Sequence, residues 1–330
     1  MTTTGSVAQR LDAVLPAPQI KVRNLWRDAF NRLIRNRLSM IGLVVTLFFV
    51  ALAITGPSLA PYPYQQQSLR RANEMPSREH LLGTDDLGRD FLSRLMWGAQ
   101  TAMLVATFVT GIAAVLGVVL GGVAAYRGGW VDWVVGRMVD VTQSIPTIML
   151  AILVDATLQK SVTNLFKQMY ATTGLEFFKG SLVINYLVTM SAIAFVTWPT
   201  YARLIRSQIL SIREREYVEA ARSVGASSRR ILMRHIVPNA LGPIIVAATF
   251  GFSSAMILEA SLSYLGLGIQ PPAASWGGMI NDNMFQWRVR PYLVMLPALV
   301  LAVATLAINF LGDGLNDALN PRSRVSSGPK

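Results

Sequence analysis

Few side chains in this 330-residue chain could carry out covalent chemistry, and those that could are badly spaced for it. There is no cysteine, so thiolate catalysis, disulfides and Cys-ligated metals are excluded. The two histidines, His80 and His235, stand far apart in sequence, and no metal site is expected. No lysine follows a glycine, so the phosphate-cradling G-x-x-x-x-G-K-[ST] loop is absent. H-E-x-x-H and G-x-S-x-G are absent too. No catalytic residue is expected, and any motor belongs to another chain.

What remains is charge in unusual places. Asp132, Arg137 and Asp140, followed by Ser144 and Pro146, then Asp155, fall in an otherwise apolar run; Glu259 falls in another. Ionisable groups at membrane depth usually face a bundle interior or a water-filled cavity. Arg137 and Asp140 are three apart and can pair on one helical face. A structural ion pair and a place along a substrate route are both open for them.

The densest polar stretch is Arg203–Pro238, whose 36 residues carry eight Arg and three Glu between two long uncharged runs. Ser211-x-x-Glu214 has the form of a capping box. A helix from there would pass Glu219, Ala220, Ala221 and Arg222 and stop at Gly225. Ser227 or Ser228 could cap a second helix, Arg229 to about Ile236, leading past Pro238. Small residues at the corner let another protein approach closely, and the surrounding charge sets its orientation. On the residues alone, a docking helix and a plain basic loop both stand.

The elements around these groups are set by hydropathy. The chain is 52% hydrophobic and 15% charged, with mean hydropathy +0.41; soluble domains carry roughly 25% charged residues. Uncharged runs of membrane-crossing length, about 20 residues, recur. An all-α integral membrane fold with six transmembrane helices is expected. Residues 1–38 form a basic cytoplasmic tail whose segment Asn24–Arg37 reads as a helix along the inner membrane surface, or simply as a basic flank. Span one is 39–56, ended by Pro57, and 57–98 is a polar extracytoplasmic loop. The core, 99–312, holds spans two to six. Span two lies within 96–126 with Ala113, Gly117, Gly121 and Ala125 as a close-packing stripe. Span three is about 131–158, bent at Pro146, followed by a loop at 159–180. Span four is about 181–202, the polar stretch 203–238 follows, and span five is about 240–262. A Gly/Pro-rich capping loop covers 263–290, span six is 291–312, and 313–330 is a cytoplasmic tail. With both termini inside, inner segments hold 19 Lys/Arg and outer segments 10, as the positive-inside bias requires. That placement argues for membrane lipid and against nucleic acid as the partner of the +12 net charge.

The corner also carries a resemblance. Glu219-Ala-Ala-Arg-Ser-Val-Gly225 followed by Pro238 resembles the EAA loop of the membrane subunits of bacterial ABC importers. That pattern is Glu-Ala-Ala, three residues, Gly, nine residues, then Ile-x-Leu-Pro; His235 and Val237 depart from it. LLGTDDLGRDFLSR (81–94), AYRGGWVDWVVGRMVD (125–140), SYLGLGIQPPAASWGGM (263–279) and NFLGDGLNDALNPR (309–322) look like the second permease subunit of dipeptide and oligopeptide importers. The resemblance covers about Asn36 to Arg322. It implies the type I importer fold in a bacterial inner membrane. It further implies a heterodimer with a second permease, one or two ATPase subunits that hold ATP and Mg, and an extracytoplasmic solute-binding protein meeting the outer loops. Glu219, Ala220, Ala221, Arg222, Gly225 and Pro238 would then couple to an ATPase. Arg137, Asp140, Ser144, Pro146 and Glu259 would lie along or near the path. No cofactor is implied on this chain. Nickel or glutathione are alternative cargoes, and a stand-alone secondary transporter using Asp140, Asp155 or Glu259 is the rival class.

Overall fold

The computed structural model describes residues 25–175 and 181–319, and among them every regular element is helical. In hydrocarbon each backbone polar group must be satisfied within its own segment, which the apolar runs achieve by coiling. The helices are α1 (Leu25–Arg35), α2 (Arg37–Leu59), α3 (Phe91–Arg127), α4 (Gly129–Ser144), α5 (Thr147–Thr173) and α6 (Ser181–Arg213). They continue with α7 (Glu216–Ser223), α8 (Ser228–Ile231), α9 (Val237–Tyr264), α10 (Trp276–Asn283) and α11 (Tyr292–Leu319). Among the described residues five stretches are long and apolar enough to cross a membrane, and α4 with α5 passes the same test together as a sharply bent pair, a sixth if it is one span.

Helix α3 is central and packs on α2, α4, α6 and α9. Its small-residue stripe is what lets α6 approach. A Cβ on Gly117 would sit 2.5 Å from the Tyr201 Cβ, and one on Gly121 would overlap the Ala202 carbonyl. Phe91, Val105, Val109, Ile193, Met256, Leu262, Trp276 and Leu293 fill the core between these helices. On the outside, Ile41, Val44, Phe48 and Ile54 of α2 remain exposed, as a lipid-facing helix requires.

Several boundaries differ from the sequence expectation, each for a local reason. Pro57 lies inside α2 rather than ending it. It removes only one donor near the end of the helix, and Ala60 N–H still reaches the Gly56 carbonyl at 2.8 Å. Helix α3 begins at Phe91, because Asp90 caps it by accepting from the Ser93 N–H at 2.8 Å. Residues 159–173 are not a loop but the continuation of α5, which ends where Gly174 turns at φ +66°. Span three is bent by 98° between α4 and α5. Ile145, preceding a proline, is held extended (φ −98°, ψ 135°), and the helix cannot run through it.

Within the expected Asn24–Arg37 segment α1 is helical, and it packs against α11. Leu33 is buried, and a Cβ on Gly314 would meet Ser39 and Leu33. Asn36 separates α1 from α2, its side chain accepting from the Leu38 N–H (3.1 Å) and Ser39 N–H (3.4 Å). Of the tail before Leu25, and of the C-terminal tail beyond Leu319, both expected to be cytoplasmic, all lies outside the described residues.

Candidate functional site

Three polar assemblies interrupt the apolar bundle. The first is the corner at Glu216–Ile236. Helix α6 does not stop where its apolar run ends but continues to Arg213, so Ser211 lies inside it and the Ser211/Glu214 capping box does not form. The corner helix α7 starts instead after Arg215, without a side-chain cap. Glu216 and Glu219 occupy its first turn, where negative charge complements the helix dipole. Gly225 closes the corner at φ +80°, a conformation in which only glycine is unstrained. From Ser228 the chain is helical without interruption through a π-helical turn, Leu232–Ile236, into α9. Pro238 follows this π turn, in the first turn of α9.

Val218 is the buried centre of this corner, with Ala221 and Ala226 packed against the same cluster. Val218 is fully buried among Ile205, Ile209 and Ile212 of α6, Ile231 of α8, Ile236 of the π turn and Ile244 of α9. The opposite face of the corner is open: Tyr217, Glu219, Ala220, Arg222, Val224 and Gly225 are exposed, and Ala221 is half-buried. An exposed Val224, at 84% of its surface, beside Glu219 and Arg222 is an apolar spot framed by both charges.

The second assembly joins α4 to α6. Arg206 grips Asp132 with two nitrogens, Nε at 2.5 Å and Nη2 at 2.6 Å. One turn away, Arg203 Nη2 donates to Asp140 at 3.2 Å. The local Arg137–Asp140 contact expected from spacing exists but is long, 4.0 Å, so the principal partner of Asp140 is Arg203 on another helix. These groups line a cavity of about 370 Å³, with Gly121, Gly136 and Ala202 making room for it. Ser144 and Pro146 are exposed at the break that follows, with Ser144 Oγ donating to the Val141 carbonyl at 2.8 Å. Asp155 is elsewhere, buried on α5 one turn before Gln159, which donates to Asn185 at 2.6 Å.

The third assembly is at the opposite end of α9 from the corner. Glu259, fully buried on α9, accepts from Ser263 Oγ at 2.7 Å and Ser275 Oγ at 2.8 Å. Ser263 in turn accepts from the Ile269 N–H at 2.9 Å, and Ser275 caps α10. Glu259 therefore pins the capping loop rather than facing the α4–α6 cavity. Beside it lies an ion network in the outer loop. Arg89 pairs with Asp85 at 2.6 Å and Asp282 at 3.2 Å, and Arg94 lies 3.6 Å from Asp85, with Arg89, Arg94 and Asp85 buried. Burial, with Asp85 alongside, raises the Asp86 carboxyl above the usual range, while Arg89 pulls it down. His80 shares Asp90 at 2.8 Å and faces Arg71 with its other nitrogen at 3.3 Å. The signal for this network was the run Asp85-Asp86…Arg89-Asp90…Arg94, whose i, i+4 spacing was there to be read.

A bundle of long apolar helices, with charge gathered mainly at a corner, a cavity wall and a loop clamp, defines a multi-pass helical membrane protein. The family model described as "Binding-protein-dependent transport system inner membrane component" matches residues 113–325, and the "N-terminal TM domain of oligopeptide transport permease C" matches 24–76. The chain is 36% identical to a dipeptide transport system permease protein of Alkalihalophilus pseudofirmus, over 94% of both chains. It is 35% identical to a glutathione transport system permease protein of Pectobacterium atrosepticum, over 94% of this chain and 96% of that one. A structure of the MetNI methionine ABC transporter in inward-facing conformations aligns with a TM-score of 0.48 at 18% identity, covering 68% of this chain and 96% of that one. The chain belongs to the binding-protein-dependent transport system inner membrane component family, and is a multi-pass inner-membrane protein.

Proposed function

We propose that this chain is one of two related permeases of an importer for dipeptides or oligopeptides, driven by ATPase subunits and supplied by a solute-binding protein. The observation that carries the coupling role is the two-faced corner. Val218 fixes α7 to three helices of the bundle, while Glu219, Ala220, Arg222 and Val224 stay open to a partner. A push on that face is transmitted to α6 and α9, because the isoleucines around Val218 belong to both. The termini and the corner lie on the cytoplasmic side in this reading, by the excess of positive charge there. The loop around Arg71–Asp90 and the α10 cap face the binding protein, and ATP and Mg reside on the ATPase partners.

A second cargo reading has one specific support, the glutathione permease relative. Glutathione is itself a peptide, so the same path serves either. The test is purification of the chain with its neighbours and reconstitution in liposomes. Uptake of a peptide that requires ATPase subunits and binding protein is the expected result. Uptake by the chain alone would instead make it a secondary carrier, and the ligand found on the binding protein decides between cargoes.

A further inference from the structure

Charge is left over in the cavity between α4 and α6. Its wall holds three guanidinium groups, Arg137, Arg203 and Arg206, against two carboxylates, Asp132 and Asp140. Asp132 is taken by both nitrogens of Arg206, and Asp140 by Arg203. Arg137 keeps only the 4.0 Å approach to Asp140 and the face of Trp133, whose ring centre lies 5.8 Å from the guanidinium carbon. Both acids have a nearer partner, so one cation is in surplus. Next to it, Gly136 has no atom within 4 Å of where a side chain would begin. The wall beside Arg137 is open space.

We propose that this cavity is a transit site for the carboxylate of the cargo, received by Arg137. This rests on the peptide-importer reading, whose cargo carries one carboxylate at its C-terminal end. A planar guanidinium can grip both oxygens of that group, and Trp133 holds the fork in place without neutralising it. The site is built to be weak. A single cation, more than half exposed, gives a small net attraction against solvent, and a path must release what it receives. At about 370 Å³ the cavity is within the size range of small-molecule pockets. The same arrangement disfavours a cargo whose only charge is positive.

The chain has no cysteine of its own, so Gly136→Cys places one reporter on the open wall. In the complete reconstituted importer, with the Gly136 complex as background and each rate divided by that reagent's rate with a free small thiol, its modification by a negatively charged methanethiosulfonate should run about tenfold faster than by a positively charged one. Adding Arg137→Gln should abolish that preference, and Arg137→Lys should keep most of it. A dipeptide with a free C-terminus should slow labelling during turnover, and its C-terminal amide should not. Equal labelling by both reagents, or equal protection by the amide, overturns the proposal. Protection by inorganic phosphate as strong as by peptide overturns the carboxylate assignment. Failure of the unmodified complex to take up any peptide would count against the importer reading instead, so the two failures are separable.

Discussion

The charges inside the bundle are unequal, and their geometry says which ones matter. Asp132 accepts two short bonds from Arg206 and is three-quarters shielded, whereas Asp140 and Arg203 are both more than half exposed. A bidentate, partly desolvated pair contributes more than an open one, which is worth about 0.5 kcal/mol or less after solvent screening. Asp132→Asn should therefore lower the melting temperature of the purified complex and its uptake rate clearly, while Asp140→Asn changes the melting temperature little. Equal effects of the two variants would show that the α4–α6 contact does not rest on the bidentate pair. Glu259 is a different case. Two hydroxyls donate to one of its oxygens in a fully buried site, so Glu259→Gln, which keeps a carbonyl oxygen, should be far milder than Glu259→Ala. Thermal melting of both variants checks this, and an alanine as stable as the glutamine would remove the pinning role.

At the scale of elements, much was legible from residue type alone, and the failures share a cause. The apolar runs announced the spans, and the Ala113–Ala125 stripe announced the close approach that α6 makes. Pro146 announced a bend, but not one of 98°: a proline removes a donor locally, while the angle depends on what packs on either side. The pairing of Arg206 with Asp132, 74 residues away, was hidden for the same reason. Arg203 and Arg206 looked like topogenic charge because their partners are fixed only by the register of α4 on α6. The corner was read correctly in its glycine turn and wrongly in its start, since α6 outlasts the apolar run and carries Ser211 inside it. What the residues could not reveal is that Val218, with Ala221 packed beside it, seats α7 among isoleucines of three other helices. Val218→Asp puts a carboxylate among isoleucines, which is costly without a partner. The complex should still insert, yet peptide-stimulated ATP hydrolysis should fall towards its unstimulated level. Glu219→Arg tests the opposite face: insertion and melting should be unchanged, while ATPase co-purification drops. A Glu219→Arg chain that retains its ATPase fully would move the docking surface elsewhere.

For the whole molecule, the clamp around Arg89 and the corner around Val218 lie at the two ends of one continuous set of contacts. The loop between α2 and α3 is tied to α10 by Arg89 and Asp282 and to the turn after α10 by Gln286 bonded to Asn73, while Trp276 of α10 donates to the Leu95 carbonyl of α3 at 3.0 Å. Helix α10 is tied to α9 through Ser275 and Glu259, and α9 runs back through the π turn to Ile236 beside Val218. A displacement of the corner along α9 thus reaches the outer loop without passing through a flexible joint. If so, breaking the clamp should cost stability and uncouple the outer face together. Asp85→Ala leaves Arg89 and Arg94 buried with Asp282 and, 3.8 Å from Arg89, the more exposed Asp86, and loss of one partner of a buried pair costs about 3–5 kcal/mol. Asp282 is partly exposed, so Asp282→Ala should destabilise less while still separating α10 from the loop. The expected result is a strongly lowered melting temperature for Asp85→Ala, and for Asp282→Ala a near-normal one with reduced stimulation of ATPase by loaded binding protein. Full stimulation in Asp282→Ala would mean that the outer signal reaches α9 by a route other than this clamp.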